Sequence, residues 1–315
     1  NYVGFEAPAL SADKIWVLPT ADGSSGQLLS TDGNGALSWA SATSGTTVDG
    51  LSDAKSAGTD FTGSLLLGHQ TTGTLDAATY NTGVGLAALD AITTGDYNVA
   101  VGYDGLTANT TGASNTAMGY GALKANTTGY YNIAIGTGAY DGADSEHNNL
   151  AIGYDALGGA IDDGTYNVAI GNYSLDANTT GDYGTGVGYN ALTSNTTGQR
   201  NIGIGASALA TNTTGNYNTA SGYQALTSNT TGNGNTASGY QALTSNTTSW
   251  YNTASGYDAL KDANRTADTD GYNTALGYNA GNTGTNDVTT GNKNTLLGAS
   301  TAASAAAETN QTVIG

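Results

Sequence analysis

The chain has no cysteine, which excludes a disulfide framework, thiol catalysis and thiolate metal sites. It has two phenylalanines and one methionine in 315 residues, and alanine is the commonest residue of its apolar 38%, so a thick hydrophobic core cannot be built from it. Cations are scarce as well. Seven Lys and Arg face 25 Asp and Glu, a formal net charge of −18, and such a surface repels nucleic-acid phosphates and anionic membranes. No run approaches the ~20 apolar residues that cross a bilayer, so neither nucleic-acid binding nor membrane insertion is expected. The first residues, Asn1-Tyr2-Val3-Gly4, read as neither an initiator methionine nor a secretory signal, and imply a processed or internal start.

What fills the chain is glycine, 48 residues of it, with Asn, Thr and Ala in a repeat. The block Asn218-Thr-Ala-Ser-Gly222-Tyr-Gln-Ala-Leu226-Thr-Ser-Asn229-Thr-Thr-Gly232 returns at Asn235, 17 residues on, and in part at Asn252. Extending the frame gives unit starts from Ser64 to Gln311, with one step of 18 after Asn149 and steps of 21 after Asn252 and Asn273. The fifth residue of every unit is glycine, as in the pairs Asn98 and Gly102, Asn115 and Gly119, Asn132 and Gly136, Asn218 and Gly222, and Asn235 and Gly239. A position restricted to glycine needs a positive φ or a neighbour too close for a Cβ. Asn at the first position tolerates left-handed backbone, and stacked copies form an amide ladder.

Alternation in Asn98-Val-Ala-Val-Gly102 or Asn132-Ile-Ala-Ile-Gly136 predicts a short strand. A second is predicted over Tyr103–Leu106 and its equivalents, and a turn at Asn-Thr-Thr-Gly. The expected fold is therefore all-β: a parallel β-solenoid or β-roll of 17-residue coils over residues 64–315. A small β connector precedes it over 1–45, with a linker over 46–63. The lengthened units should bulge as loops. Each coil carries about one large aliphatic, the ninth-position Leu. Burying it contributes about 1.5–3 kcal/mol, while ordering each of 17 residues costs about 1–2 kcal/mol. So thin a margin favours association of identical rolls, with the 20 tyrosines as stacking ladders.

Candidate sites are few. No P-loop, dinucleotide fingerprint, nucleophile elbow or zinc His-Glu pattern occurs, and no enzyme is expected. His69 and His147 lie in different units and read as turn residues. Stacking should bring Asp144 and Glu146 of one turn near Asp162 and Asp163 of the next, where oxygen ligands suit Ca2+. Asp268 and Asp270, before Gly271 and Asn273, form a partial calcium loop. No other cofactor is implied. Thr pairs such as Thr93-Thr94 and Thr110-Thr111 raise ice binding as an alternative, although neighbours in an extended segment point to opposite faces.

The units Asn132-Ile-Ala-Ile-Gly136 and Asn149-Leu-Ala-Ile-Gly153 resemble the head repeat of trimeric autotransporter adhesins. That resemblance implies a left-handed roll and a homotrimer, though the longer Asn-Thr-Thr-Gly turn departs from the pattern. Tyr2-Val-Gly-Phe5-Glu-Ala-Pro8, Trp16-Val-Leu-Pro19 and Gly26-Gln-Leu-Leu-Ser-Thr-Asp-Gly33 resemble a connector of marine-type phage tail fibres. The implied function is a trimeric tail-fibre shaft in host attachment, on the virion tail or otherwise extracellular. Its implied partners are its own copies, other tail proteins or fibre segments, and a host surface glycan or protein. A bacterial surface adhesin or extracellular filament subunit is the alternative. The last unit stops at Gly315, five residues in, so a further segment or a cap is expected there.

Overall fold

The computed structural model describes residues 17, 19–21, 24, 27–31, 36–41, 54–56, 64–67, 77–264, 270–284 and 287–315. The chain divides into two compact units, Asn1–Ser52 and Asp53–Gly315. In the first, β1 (Gln27–Thr31) and β2 (Leu37–Ser41) form an antiparallel pair with Leu29 opposite Trp39. The Trp39 indole N–H donates to the Ala21 carbonyl at 2.8 Å, and Val17 bridges to Ala36.

The second unit is a parallel β-solenoid of 17-residue repeats with one three-residue strand per coil. After β3 (Ala54–Ser56), which runs antiparallel to β4 (Leu65–Leu67), every successive strand pairs in parallel with the next, up to β18 (Thr312–Ile314). Register is strict: Ala117 faces Ala134, and Ala134 faces Ala151. At the ~4.8 Å spacing of paired strands, the stack from β4 to β18 is roughly 70 Å long.

Repeat positions, counted from Asn as position 1, explain the coil. Positions 1, 3, 8, 9 and 12 point inward and are almost wholly buried, as Asn218, Ala220, Ala225, Leu226 and Asn229 illustrate. The core is thus a column of leucine and alanine beside two columns of carboxamides. A buried carboxamide is tolerated only when its groups are bonded. Most position-1 Asn residues meet this in the same way, Asn252 instead donating to Ser249 Oγ at 3.0 Å. Asn98 Nδ2 donates to the Gly112 carbonyl of its own coil at 2.8 Å, and Asn98 Oδ1 accepts the Asn115 backbone N–H at 3.0 Å. The amide ladder expected at position 1 is present. A second runs through position 12, where Asn212 donates to Asn195 Oδ1 and Asn229 to Asn212 Oδ1, each at 2.8 Å.

Glycine at position 5 answers to both anticipated reasons. Gly222 has φ +142° and Gly239 φ +134°, and a Cβ on either would overlap the carbonyl group of the equivalent glycine one coil on. Ordinary side chains are excluded by strain and by contact together.

The predicted second strand does not form. Tyr103–Leu106 and its equivalents are turn, because positions 7 and 9 are left-handed: φ is 56° at Asp104 and 49° at Leu106. Position 17 is left-handed too, with φ 59° at Tyr97. Left-handed backbone costs a non-glycine residue about 1–2 kcal/mol, and each site is held by a bond between coils. The N–H groups of Asp104 and Tyr97 donate to carbonyls of the preceding coil (Leu86 at 3.1 Å, Thr79 at 3.0 Å), and that of Leu106 to Ala122 in the following coil at 3.0 Å. The coil is still laddered there, without extended geometry. The two long units carry their extra residues between the core position near Leu260 or Ala280 and the turn position, Asp270 or Gly291.

Candidate functional site

Two features depart from a uniform coil. The first lies at Tyr140–Asp163. Here Tyr140 replaces the ninth-position Leu, Ala143 replaces the position-12 Asn, Glu146 replaces the turn glycine, and the next coil is one residue longer. The four changes are coupled by space. In regular coils a Cβ on the turn glycine would overlap the position-12 carboxamide, as Gly129 would with Asn126. Ala143 removes that carboxamide, and Tyr140 fills the volume and donates no clash: Asn149 Nδ2 bonds its hydroxyl at 2.5 Å. Burial, then the Glu146 charge, pushes the Tyr140 hydroxyl far above the usual tyrosine range, and the Asn149 bond opposes this only in part.

Glu146 is buried to 5% exposure. Its Oε2 accepts the N–H groups of Asp144 at 3.1 Å and Ser145 at 3.2 Å, and its Oε1 accepts that of Asp163 at 3.2 Å. The carboxylate thus does for three amides what a carboxamide ladder does elsewhere. Ser145, Glu146, His147, Asp162, Asp163 and Thr165 line a shallow pocket of about 300 Å³ beside it. Stacking does bring Glu146 to Asp163, as read from the sequence, but to its backbone N–H. Among the described residues no three His, Asp or Glu side chains gather to hold a metal ion. Of Asp144, Glu146, Asp162 and Asp163, read from the sequence as oxygen ligands for calcium, Glu146 has its oxygens on amide donors. Asp270 bridges to Trp250 through backbone; Asp268 lies outside the described residues, as does His69. His147 stacks on Tyr130 with ring centroids 4.5 Å apart. A column of acids sits nearby, where burial first, then Asp155 and Asp141, raises the Asp176 carboxyl above its ordinary range.

The second feature is the outward face of the ladder. Positions 2 and 4 of each strand point away from the core. From β5 (Thr82–Val84) through β6 (Val99–Val101), β7 (Thr116–Met118), β8 (Ile133–Ile135), β9 (Leu150–Ile152), β10 (Val168–Ile170), β11 (Thr185–Val187) and β12 (Ile202–Ile204) the position-4 column is apolar throughout, and the position-2 column is aliphatic except at Thr82, Thr116 and Thr185. Met118 is 44% exposed and Ile133 41%. In β13 (Thr219–Ser221), β14 (Thr236–Ser238) and β15 (Thr253–Ser255) both columns are hydroxyl side chains. Position 4 becomes aliphatic again in β16 (Thr274–Leu276), β17 (Thr295–Leu297) and β18. From β5 to β18 neither column contains a charged residue.

Tyrosines occupy positions 17 and 6, on either side of the strand in sequence. Tyr223, Tyr240, Tyr257 and Tyr278 stack at centroid separations of 5.3, 4.8 and 5.5 Å. In the position-17 row Arg200 lies over Tyr183 at 5.4 Å and Tyr217 at 5.6 Å, bridging a gap between rings. The anticipated ladders are thus real, and their ring faces cover one another. The first Thr of each turn pair is also consumed internally: Thr93 Oγ1 donates to the Thr110 carbonyl at 3.0 Å and Thr110 to Thr127 at 3.1 Å. Only the second Thr, such as Thr94 or Thr111, remains exposed. Sequence reasoning found the columns of the core but missed the outward face, although Ile133 and Ile135 flanking Ala134 were its signal.

Comparison with protein-family models, curated proteins and solved structures finds no match to this chain.

Proposed function

We propose that this chain is the shaft of a trimeric attachment fibre, a viral tail fibre whose left-handed coils hold a host-binding element away from the particle. The observation that carries the reading is the uninterrupted parallel ladder from β4 to β18, with the same columns of Asn, Ala and Leu stacked coil after coil. Such a stack spends its sequence on length and stiffness. A Cys-free, acidic, cation-poor surface suits a particle exterior that must stay soluble beside polyanionic cell surfaces. The connector and repeat motifs resembling tail fibres and adhesin heads point the same way. Antibodies raised against residues 218–251 test it in electron micrographs of virions and of bacterial cells. Labelling along thin fibres of a virion tail is expected. Labelling of a cell envelope, with bare virions, would replace this reading with that of a bacterial surface adhesin.

A further inference from the structure

Among the described residues, the outward ladder face is an apolar surface that the solenoid leaves open. Parallel sheets are ordinarily covered on both sides, and strands such as Ile133-Ala-Ile135 and Val168-Ala-Ile170 are apolar on both. On the columns of β5–β12, Val84, Val99, Met118, Ile133, Ile135, Ile202 and Ile204 are each 36% exposed or more. Contiguous exposed apolar side chains of this kind mark an interaction surface. It also lacks charge along its whole length, in a chain with 25 acids, and depletion of charge marks the core of an interface.

We propose that copies of this chain associate side by side, parallel and in register, through positions 2 and 4 of the ladder, dry over β5–β12 and hydrated over β13–β15. The inference rests on the trimeric reading above for the number of copies; the face and direction come from the structure. Three observations select a second copy as the occupant. The surface is periodic at the coil spacing over eight strands, and an identical chain offers the same period. The acidic copies repel one another elsewhere, so this uncharged strip is where they approach without bringing carboxylates together. The hydroxyl window of Thr219, Ser221, Thr236, Ser238, Thr253 and Ser255 then fixes direction. In a parallel pairing it meets itself and shares water, with aliphatic contact on both sides. Reversing one copy about the middle of β5–β18 would set it against Ile133–Ile170, leaving hydroxyls unpaired on an apolar surface.

The test measures molar mass by light scattering on the full chain and on a variant carrying Ile133→Glu, Ile135→Glu, Ile202→Glu and Ile204→Glu. These side chains are exposed, so the circular dichroism of the coils should persist. The expected result is an associated wild type at micromolar concentration and a variant at monomer mass. Because the chain has no cysteine, single Ile135→Cys and Thr236→Cys variants report register under a mild oxidant. Each should cross-link to its own counterpart, while Thr128→Cys in the turn should not. A monomeric wild type would overturn this proposal and the trimeric reading with it. An associated wild type whose mass survives the four glutamates, or in which neither Ile135→Cys nor Thr236→Cys cross-links, would overturn the face alone. If the glutamate variant does not fold, the cross-links decide.

Discussion

At Asn235 one carboxamide joins three coils. Its backbone N–H donates to Asn218 Oδ1 at 3.0 Å, its Oδ1 accepts the Asn252 N–H at 2.9 Å, and its Nδ2 reaches the Ser249 carbonyl at 2.8 Å. Asn235→Ala leaves the buried Asn252 N–H without its side-chain acceptor, at about 1–3 kcal/mol, while the Ser249 carbonyl keeps the Asn246 Nδ2 bond at 3.1 Å. A fall in unfolding free energy of ~1–3 kcal/mol in urea titration is the expected outcome. Gly184 provides the converse case, because it interrupts the ladder. Its N–H is held by Asn167 Oδ1 at 2.7 Å, yet it offers no side-chain oxygen to the next coil. Its φ is not left-handed, and the nearest neighbours of a new Cβ are side-chain ends, Asn167 Oδ1 at 2.9 Å, which must shift slightly, and the Leu175 tip at 3.4 Å. Gly184→Asn should therefore restore the rung, stabilising by about 1 kcal/mol in the same titration.

Among elements, the coil 132–148 shows how one departure compels others. The buried Tyr140 hydroxyl gives it a pH signature. Above about pH 10 an exposed tyrosine loses its proton, so the unfolded chain ionises there while folded Tyr140 stays protonated. The folded state then binds more protons than the unfolded one, and stability falls as pH rises through this range. Thermal melts from pH 8 to 11 should show a steeper decline in the wild type than in Tyr140→Phe, whose stability at pH 8 is lower for want of the Asn149 bond. The strand at positions 2–4 and the glycine at position 5 were legible in the sequence, because alternation and an invariant glycine are direct signatures of geometry. The turn at positions 7 and 9 was not, because Asp104, Gln224 and Leu226 carry no mark of left-handed backbone. Their conformation is imposed by bonds to neighbouring coils. Gly121 and Gly138 at position 7, both with positive φ, were the available hint. Glu146 was legible as a neighbour of Asp163, but its amide partners were not, since a backbone N–H leaves no trace in composition.

For the whole molecule, the solenoid unit is a series of neighbours, each touching only the coil before and the coil after. Removing residues 218–234 brings Asn235 onto Asn201 with every column preserved, since the deleted coil and its successor share nearly one sequence. This deletion should yield a soluble, folded chain with an unchanged circular dichroism spectrum per residue and a modestly smaller unfolding m-value. Removing only residues 218–233 shifts every later coil by one place, aims Leu and Asn columns outward, and should yield insoluble protein.

The near-identity of the coils at Asn218 and Asn235 bears on heredity as much as on mechanics. Adjacent stretches of coding sequence this alike are prone to unequal recombination, and a slip by a whole coil costs the fold almost nothing. Reach therefore becomes a trait that lineages can lengthen or shorten in single events, while whatever sits at the ends is inherited untouched.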